Sequence, residues 1–215
     1  EGKFKATTAD DCVYVSQEGH PDKGDGYGAL GAHVDDLLAV GDDVGLQKIK
    51  STMEKDFEIT VDRNPKVITG VQVERDRAAK WLKLHQGAYV TSILTEYDML
   101  DCKSVDTPMD PGTARAMMLL PTDQEDPVYR KKYQALVGSL IWLHKTRPDI
   151  MFTLNLLSRF LKSATKQHYE LARGRPLRYL KGTINHGIVF QAGDSSKWKL
   201  SGAGDADLAG DINTS

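Results

Sequence analysis

Two short apolar runs, Gly28-Ala29-Leu30-Gly31-Ala32 and Leu37-Leu38-Ala39-Val40-Gly41, meet at His33-Val34-Asp35-Asp36, and that junction limits what the chain can build. Runs of this length bounded by a polar break suit strands, and the break suits a tight hairpin turn. We read strands at about 11–17, 28–34 and 37–41, with the turn at Val34-Asp35-Asp36. Asp42-Asp43 then predict a helix start, because Asp favours the N-cap and first turn, and Leu46, Ile49, Met53 and Phe57 follow at helical spacing. The pattern is a β-hairpin followed by a helix. Adjacent carboxylates at the hairpin tip, where no core requires charge, suit a Mg²⁺ ion. On the dipeptide alone an ordinary acidic turn is the simpler reading.

Val67 to Arg75 and Trp81 to Leu84 read as the two strands of a further hairpin, turned at Asp76 to Lys80. Tyr89, Val90, Ile93, Leu94 and Tyr97 mark one face of a helix ending near Leu100. Residues 101–127 hold four prolines and an acidic run with no sustained period, which predicts a connector and a domain boundary. Beyond it, Leu136, Leu140 and Leu143 form one helical stripe, and Ile150, Leu154, Leu157 and Leu161 another, separated by Thr146-Arg147-Pro148-Asp149. A third helix from Thr165 to Lys181 contains Gly174 and Pro176. Since an internal proline costs about 3 kcal/mol, a kink or break is expected there. Trp142, Phe152 and Phe160 read as core, and His144 and His168 as surface histidines. Two short strands, Gly187 to Gln191 and Trp198 to Gly202, precede Asp205-Ala206-Asp207.

Charge divides the chain more sharply than its net −2 suggests. Residues 1–127 carry 14 basic and 24 acidic side chains, a balance of −10, whereas residues 128–182 carry 12 basic against 2 acidic, a balance of +10. A stretch so positive suits a phosphate backbone through counterion release and steering. Docking on the chain's own acidic half is the equal alternative. Composition adds exclusions. With 40% hydrophobic and 27% charged residues, the chain is neither disordered nor low-complexity, and no apolar run approaches the roughly 20 residues of a membrane-spanning helix. Cys12 and Cys102 stand alone and the six histidines are scattered, so a disulfide framework and a zinc centre are not indicated, and a reducing interior compartment is expected.

The Val34-Asp35-Asp36 turn between apolar strands resembles the palm signature of reverse transcriptases, specifically the copia-type retrotransposon class. The resemblance extends along nearly the whole chain. It covers Asp11-Cys12-Val13-Tyr14-Val15, Val34 to Asp42, Gly70 to Asp76, Gln86-Gly87-Ala88-Tyr89-Val90, Asp101 to Pro108 and Leu136 to Leu143. Its most specific parts are Thr146-Arg147-Pro148-Asp149-Ile150 with Leu157-Ser158-Arg159-Phe160, Leu177 to Thr183, and Asp205 to Asp211. The family usually has an aromatic residue at the place of His33, a Trp at that of Leu208 and an apolar helix former at that of Pro176.

The resemblance implies an α+β fold in four parts. These are the C-terminal part of a palm with its following hairpin and helix (1–100), a linker (101–127), a basic helical thumb and connection region (128–182), and the first strands of a ribonuclease H-like domain (183–215). Asp35 and Asp36 match the palm pair that helps hold two Mg²⁺ ions during RNA-directed DNA synthesis, and Asp205 matches the first ribonuclease H carboxylate. Arg147, Arg159, Arg173, Arg178 and Lys181 become candidate contacts to an RNA–DNA or DNA primer–template. A third palm carboxylate and the nucleotide-binding fingers lie upstream in the family. The fragment alone is thus expected to bind Mg²⁺ weakly and not to polymerise, unless the N-terminal polymerase segment joins it in trans. The alternative is a non-enzymatic nucleic-acid-binding or protein-interaction module derived from a retrotransposon. Its expected place is intracellular, either in a cytoplasmic virus-like particle or in the nucleus.

Overall fold

The computed structural model describes residues 4–19, 24–121, 126–193 and 202. The chain divides into two compact units, Glu1–Asn64 and Pro65–Ser215. The expected boundary at 101–127 therefore lies inside the second unit, and residues 65–100 belong with the helical block.

In the first unit, strands β1 (Phe4–Ala6), β2 (Val13–Ser16), β3 (Gly28–His33) and β4 (Asp36–Gly41) form an antiparallel sheet in that order. β3 and β4 pair from Gly28↔Gly41 at the base to His33↔Asp36 at the tip, leaving Val34 and Asp35 as the two-residue turn. Helix α1 (Asp43–Met53) follows at once and buries Ile49. It stops short of Phe57, which is 60% exposed. Gly45 permits the close approach of this helix to the sheet, because a Cβ there would stand 2.0 Å from the Tyr27 carbonyl oxygen.

In the second unit, β5 (Val67–Ile68), β6 (Val71–Asp76), β7 (Trp81–His85) and β8 (Gly187–Gln191) form another antiparallel sheet. The stretch 67–75, expected as one strand, folds back at Thr69-Gly70. Their φ angles of 45° and 80° are the left-handed pair that a two-residue hairpin requires, and Gly70 supplies the second without a Cβ penalty. Five helices carry the core: α2 (Gly87–Glu96), α3 (Pro111–Met118), α4 (Pro127–Ile141), α5 (Met151–Ser158) and α6 (Lys166–Gly182). Leu94, Met117, Leu136, Leu143, Leu157 and Leu177 are fully buried there, each worth roughly 1.5–3 kcal/mol of transfer free energy.

Several expectations give way here. Residues 101–127 are not all connector: Asp110 accepts from the Thr113 backbone N–H at 3.1 Å, and Pro111 opens α3 in the first-turn position that needs no N–H. Pro176 does not break α6, which runs unbroken from Lys166 to Gly182 with Ala172, Pro176, Leu177 and Leu180 buried. Packing on that face offsets the lost backbone bond. Gly187–Gln191, expected as a first ribonuclease H-like strand, pairs with β7 from Trp81↔Gln191 to His85↔Gly187 and so joins the second unit's own sheet. The expected strand from Trp198, apart from Gly202, and Asp205 lie outside the described residues. No helix among the described residues is long and apolar enough to cross a membrane.

Candidate functional site

The first unit presents Asp35 and Asp36 at the tip of the β3–β4 hairpin, whose β3 is paired with β2 as far as Gly31. Asp35 sits in the turn, Asp36 begins β4 opposite His33, and all three are exposed. Val34, 92% exposed, holds φ at 56°, a left-handed conformation that costs a β-branched residue about 1–3 kcal/mol. At the other end of the hairpin, Asp42 does more than cap α1. Its Oδ1 accepts from Gly45 N at 2.6 Å, and its Oδ2 accepts from Gly26 N and Tyr27 N, both at 3.0 Å. Those bonds, the one from Gly45 foremost, hold the Asp42 carboxyl below the usual carboxylate range. One side chain thus ties the start of β3, the end of β4 and the first turn of α1 together.

Two adjacent carboxylates suit a hard divalent cation, and a two-cation centre needs more of them. Among the described residues no group of three His, Cys, Asp or Glu side chains could hold a metal ion. The hairpin tip thus presents a carboxylate pair with no third such side chain grouped beside it among the described residues.

In the second unit the candidate phosphate contacts have different fates. Arg147, named as a candidate primer–template contact, is 1% exposed and turned into the protein. Its Nε and Nη2 donate to Asp149 at 3.0 and 2.7 Å, and its Nη1 and Nη2 donate to the carbonyl and hydroxyl oxygens of Thr183 at 3.1 and 2.7 Å. Tyr179 donates its hydroxyl to Asp149 at 2.7 Å. Burial pushes the Asp149 carboxyl up, but the Arg147 and Tyr179 hydrogen bonds outweigh it and hold the group low.

Arg173 donates twice to the Tyr97 carbonyl, at 3.0 and 2.7 Å, and Arg178 once to the Lys103 carbonyl at 2.7 Å. Arg175 reaches Thr107 and lies 3.2 Å from an Asp110 oxygen. Three arginines of α6 thus grip the segment between α2 and α3, satisfying carbonyls that no sheet or helix pairs. Arg159 is exposed just past α5, and Lys181 is half-buried in the last turn of α6.

The aromatic residues also depart from expectation. Phe160 is buried as expected, but Trp142 is 43% and Phe152 70% exposed, so neither is core. His168, expected at the surface, is fully buried, its Nδ1 accepting from the Thr165 backbone N–H at 3.3 Å. The Lys145 ammonium sits 3.7 Å from the centroid of the Trp142 ring, a close cation–π contact. Lys131, Gln134, Gly138, Trp142 and Lys145 recur at intervals of three or four and are all exposed, forming one strip along α4 and the turn after it. A buried amide stands beneath that turn. Gln86 Nε2 donates to the Trp142 carbonyl at 3.2 Å, and its Oε1 accepts from the Thr146 hydroxyl at 2.8 Å. Reading the sequence alone overlooks Gln86, because nothing local marks a pairing 60 positions away.

Comparisons with known proteins identify the chain's relatives. The family described as reverse transcriptase (RNA-dependent DNA polymerase) matches residues 1–111. The chain is 34% identical over 214 residues to the retrovirus-related Pol polyprotein from transposon TNT 1-94 of Nicotiana tabacum, covering 98% of this chain and 16% of that polyprotein. It is likewise 34% identical over 180 residues to the Pol polyprotein from transposon RE1 of Arabidopsis thaliana, covering 83% of this chain and 12% of the relative. A shorter relative, an uncharacterized mitochondrial protein of Arabidopsis thaliana, is 30% identical over 190 residues, covering 85% of this chain and 72% of its own length. No solved structure matches the chain. The chain thus spans about a sixth or less of the polyproteins it matches, and with more than half of its length matched by their polymerase family it belongs to the reverse transcriptase (RNA-dependent DNA polymerase) family.

Proposed function

We propose that this chain is the part of a retrotransposon RNA-directed DNA polymerase that carries the palm carboxylate pair and the following helical region, and that its second unit binds an RNA–DNA or DNA primer–template. In that role Asp35 and Asp36 contribute to holding Mg²⁺, with the remaining ligands coming from elsewhere in the polymerase. By itself the chain binds nucleic acid and does not polymerise.

The observation that carries the binding half is the exposed strip on α4. Trp142 offers an aromatic surface with Lys145 held against its ring at 3.7 Å, the combination that stacks on bases and attracts phosphate. Gly138 lies on the same strip. A glycine inside a helix costs about 0.5–1 kcal/mol relative to alanine. A Cβ at 138 would meet nothing within 4 Å inside the protein, so no internal packing calls for its absence. The missing side chain leaves room for a ligand backbone to pass close over the helix. Arg147, just past the strip, is fixed by Asp149 and Thr183 and holds the chain where the turn ends.

The test is binding of a labelled RNA–DNA hybrid to the chain across a salt series. The reading predicts affinity that falls steeply with salt, since each neutralised phosphate adds about 0.7–0.9 to the log–log slope. Absence of binding at low salt contradicts it and leaves an interaction module.

A further inference from the structure

We infer that Gln86 is a positioning residue that sets how Trp142 and Lys145 are presented. The inference rests on the nucleic-acid reading of the α4 strip and adds the element that orients it. Gln86 is 1% exposed and lies at the junction between β7 and α2, on the opposite side of the Trp142–Thr146 turn from solvent. Its amide is used at both ends, and the two ends grip the first and last residues of that turn: the Trp142 carbonyl at 3.2 Å and the Thr146 hydroxyl at 2.8 Å. Thr146 is itself 1% exposed, so the second bond is sheltered from competing water.

The junction that carries Gln86 is tied down in turn. Gln72 Oε1 accepts from Ala88 N at 2.6 Å, and His85 Nδ1 accepts from Gly87 N at 3.2 Å. On its far side the turn runs into Arg147, fixed by Asp149 and Thr183. The turn is therefore clamped from beneath at both ends, and its outward side chains are Trp142, His144 and Lys145. An apolar residue at 86 would fill the space without fixing the carbonyl and hydroxyl it now aligns. A buried amide with both halves satisfied imposes one geometry. That geometry is the one in which the Lys145 ammonium meets the indole face.

The experiment uses the full chain with Trp81→Phe and Trp198→Phe, leaving Trp142 as the fluorophore. Gln86→Met and, as a second variant that removes the same contact from its other end, Thr146→Val are compared with Gln86→Glu, which keeps the acceptor facing Thr146. Far-ultraviolet circular dichroism checks that each is folded. Gln86→Met and Thr146→Val are expected to raise acrylamide quenching of Trp142, and each to weaken RNA–DNA hybrid binding about 3- to 10-fold, the equivalent of one net hydrogen bond. Gln86→Glu is expected to fall between them and the parent. Quenching and affinity unchanged in both folded variants overturn the inference. Should Trp142→Ala leave hybrid binding intact while Gln86→Met still alters quenching, the nucleic-acid reading fails and the positioning role stands. Should Trp142→Ala weaken binding while Gln86→Met alters neither signal, the reverse holds.

Discussion

The guanidinium of Arg147 and the carboxylate of Asp149 form a two-pronged pair, Nε at 3.0 Å and Nη2 at 2.7 Å, with the arginine 1% exposed. Charge this deeply buried is destabilising unless it is paired and fully hydrogen-bonded, and here Thr183 and Tyr179 complete the set. The positive charge of residues 128–182 is thus partly internal structure and only partly available surface.

Arg147→Met should therefore act on stability before it acts on binding. It strands the Asp149 carboxylate beside Tyr179, and a loss of about 3 kcal/mol is expected from breaking such a pair. Urea denaturation followed by circular dichroism measures it. A stable Arg147→Met with weakened nucleic-acid binding contradicts the internal role.

Acidification should weaken the second unit through two groups. Asp149 has a folded-state pKa below its ordinary 3.8, so its contribution is complete above that value and is lost as pH falls through the folded pKa. His168 acts at higher pH. Burial holds its pKa below 6.5, partly offset by the Met117 carbonyl, so the unfolded chain takes up the proton first and stability falls once pH drops below about 6.5. Protonation also requires a hydrogen on Nδ1, which now accepts from Thr165 N. Of the groups around it, Thr165, Phe160 and Tyr133 carry no charge. His168→Gln keeps a capping acceptor but cannot titrate. Urea midpoints between pH 7.5 and 5 should show a flatter slope in that variant, and an unchanged slope contradicts the assignment.

Phe152 and Phe160 lie eight positions apart and should respond oppositely to truncation. Phe160 is 3% exposed and packs on His168 at 4.7 Å between ring centroids, so Phe160→Ala should cost about 3–5 kcal/mol. Phe152 is 70% exposed, and Phe152→Ala should stay within about 0.5 kcal/mol. Thermal or urea unfolding of both variants decides the matter.

At the hairpin tip, Val34→Asn should stabilise the first unit. Asn adopts the left-handed region more readily than a β-branched residue, so relief of the strain at φ 56° is expected to yield about 1 kcal/mol. Hydrogen exchange of the β3 and β4 amides reads it out, with stronger protection expected and weaker protection against the account.

What could be read from the sequence was local. The β3–β4 hairpin, the Asp42 cap and the leucine stripes all follow from spacing over a few residues. The turn at Thr69-Gly70 was hidden because Thr69 is β-branched and reads as strand. The start of α3 was hidden by its setting among prolines, although Asp110-Pro111 is a start signal. The remainder depended on partners distant in sequence: β8 pairing with β7, Arg173 reaching Tyr97, and Gln86 reaching Thr146. Composition counts arginines alike whether they face solvent or a buried carboxylate, so the burial of Arg147 among the candidate primer–template contacts is invisible to charge arithmetic.

The central claim is that nucleic acid is held by the α4 strip rather than by the whole positive charge of the second unit. The direct measurement is the affinity of an RNA–DNA hybrid for the parent chain and for Trp142→Ala/Lys145→Ala at one low salt concentration. The account predicts a loss of about tenfold or more, the worth of one stacked base together with one phosphate contact. Equal affinity in the two proteins contradicts it.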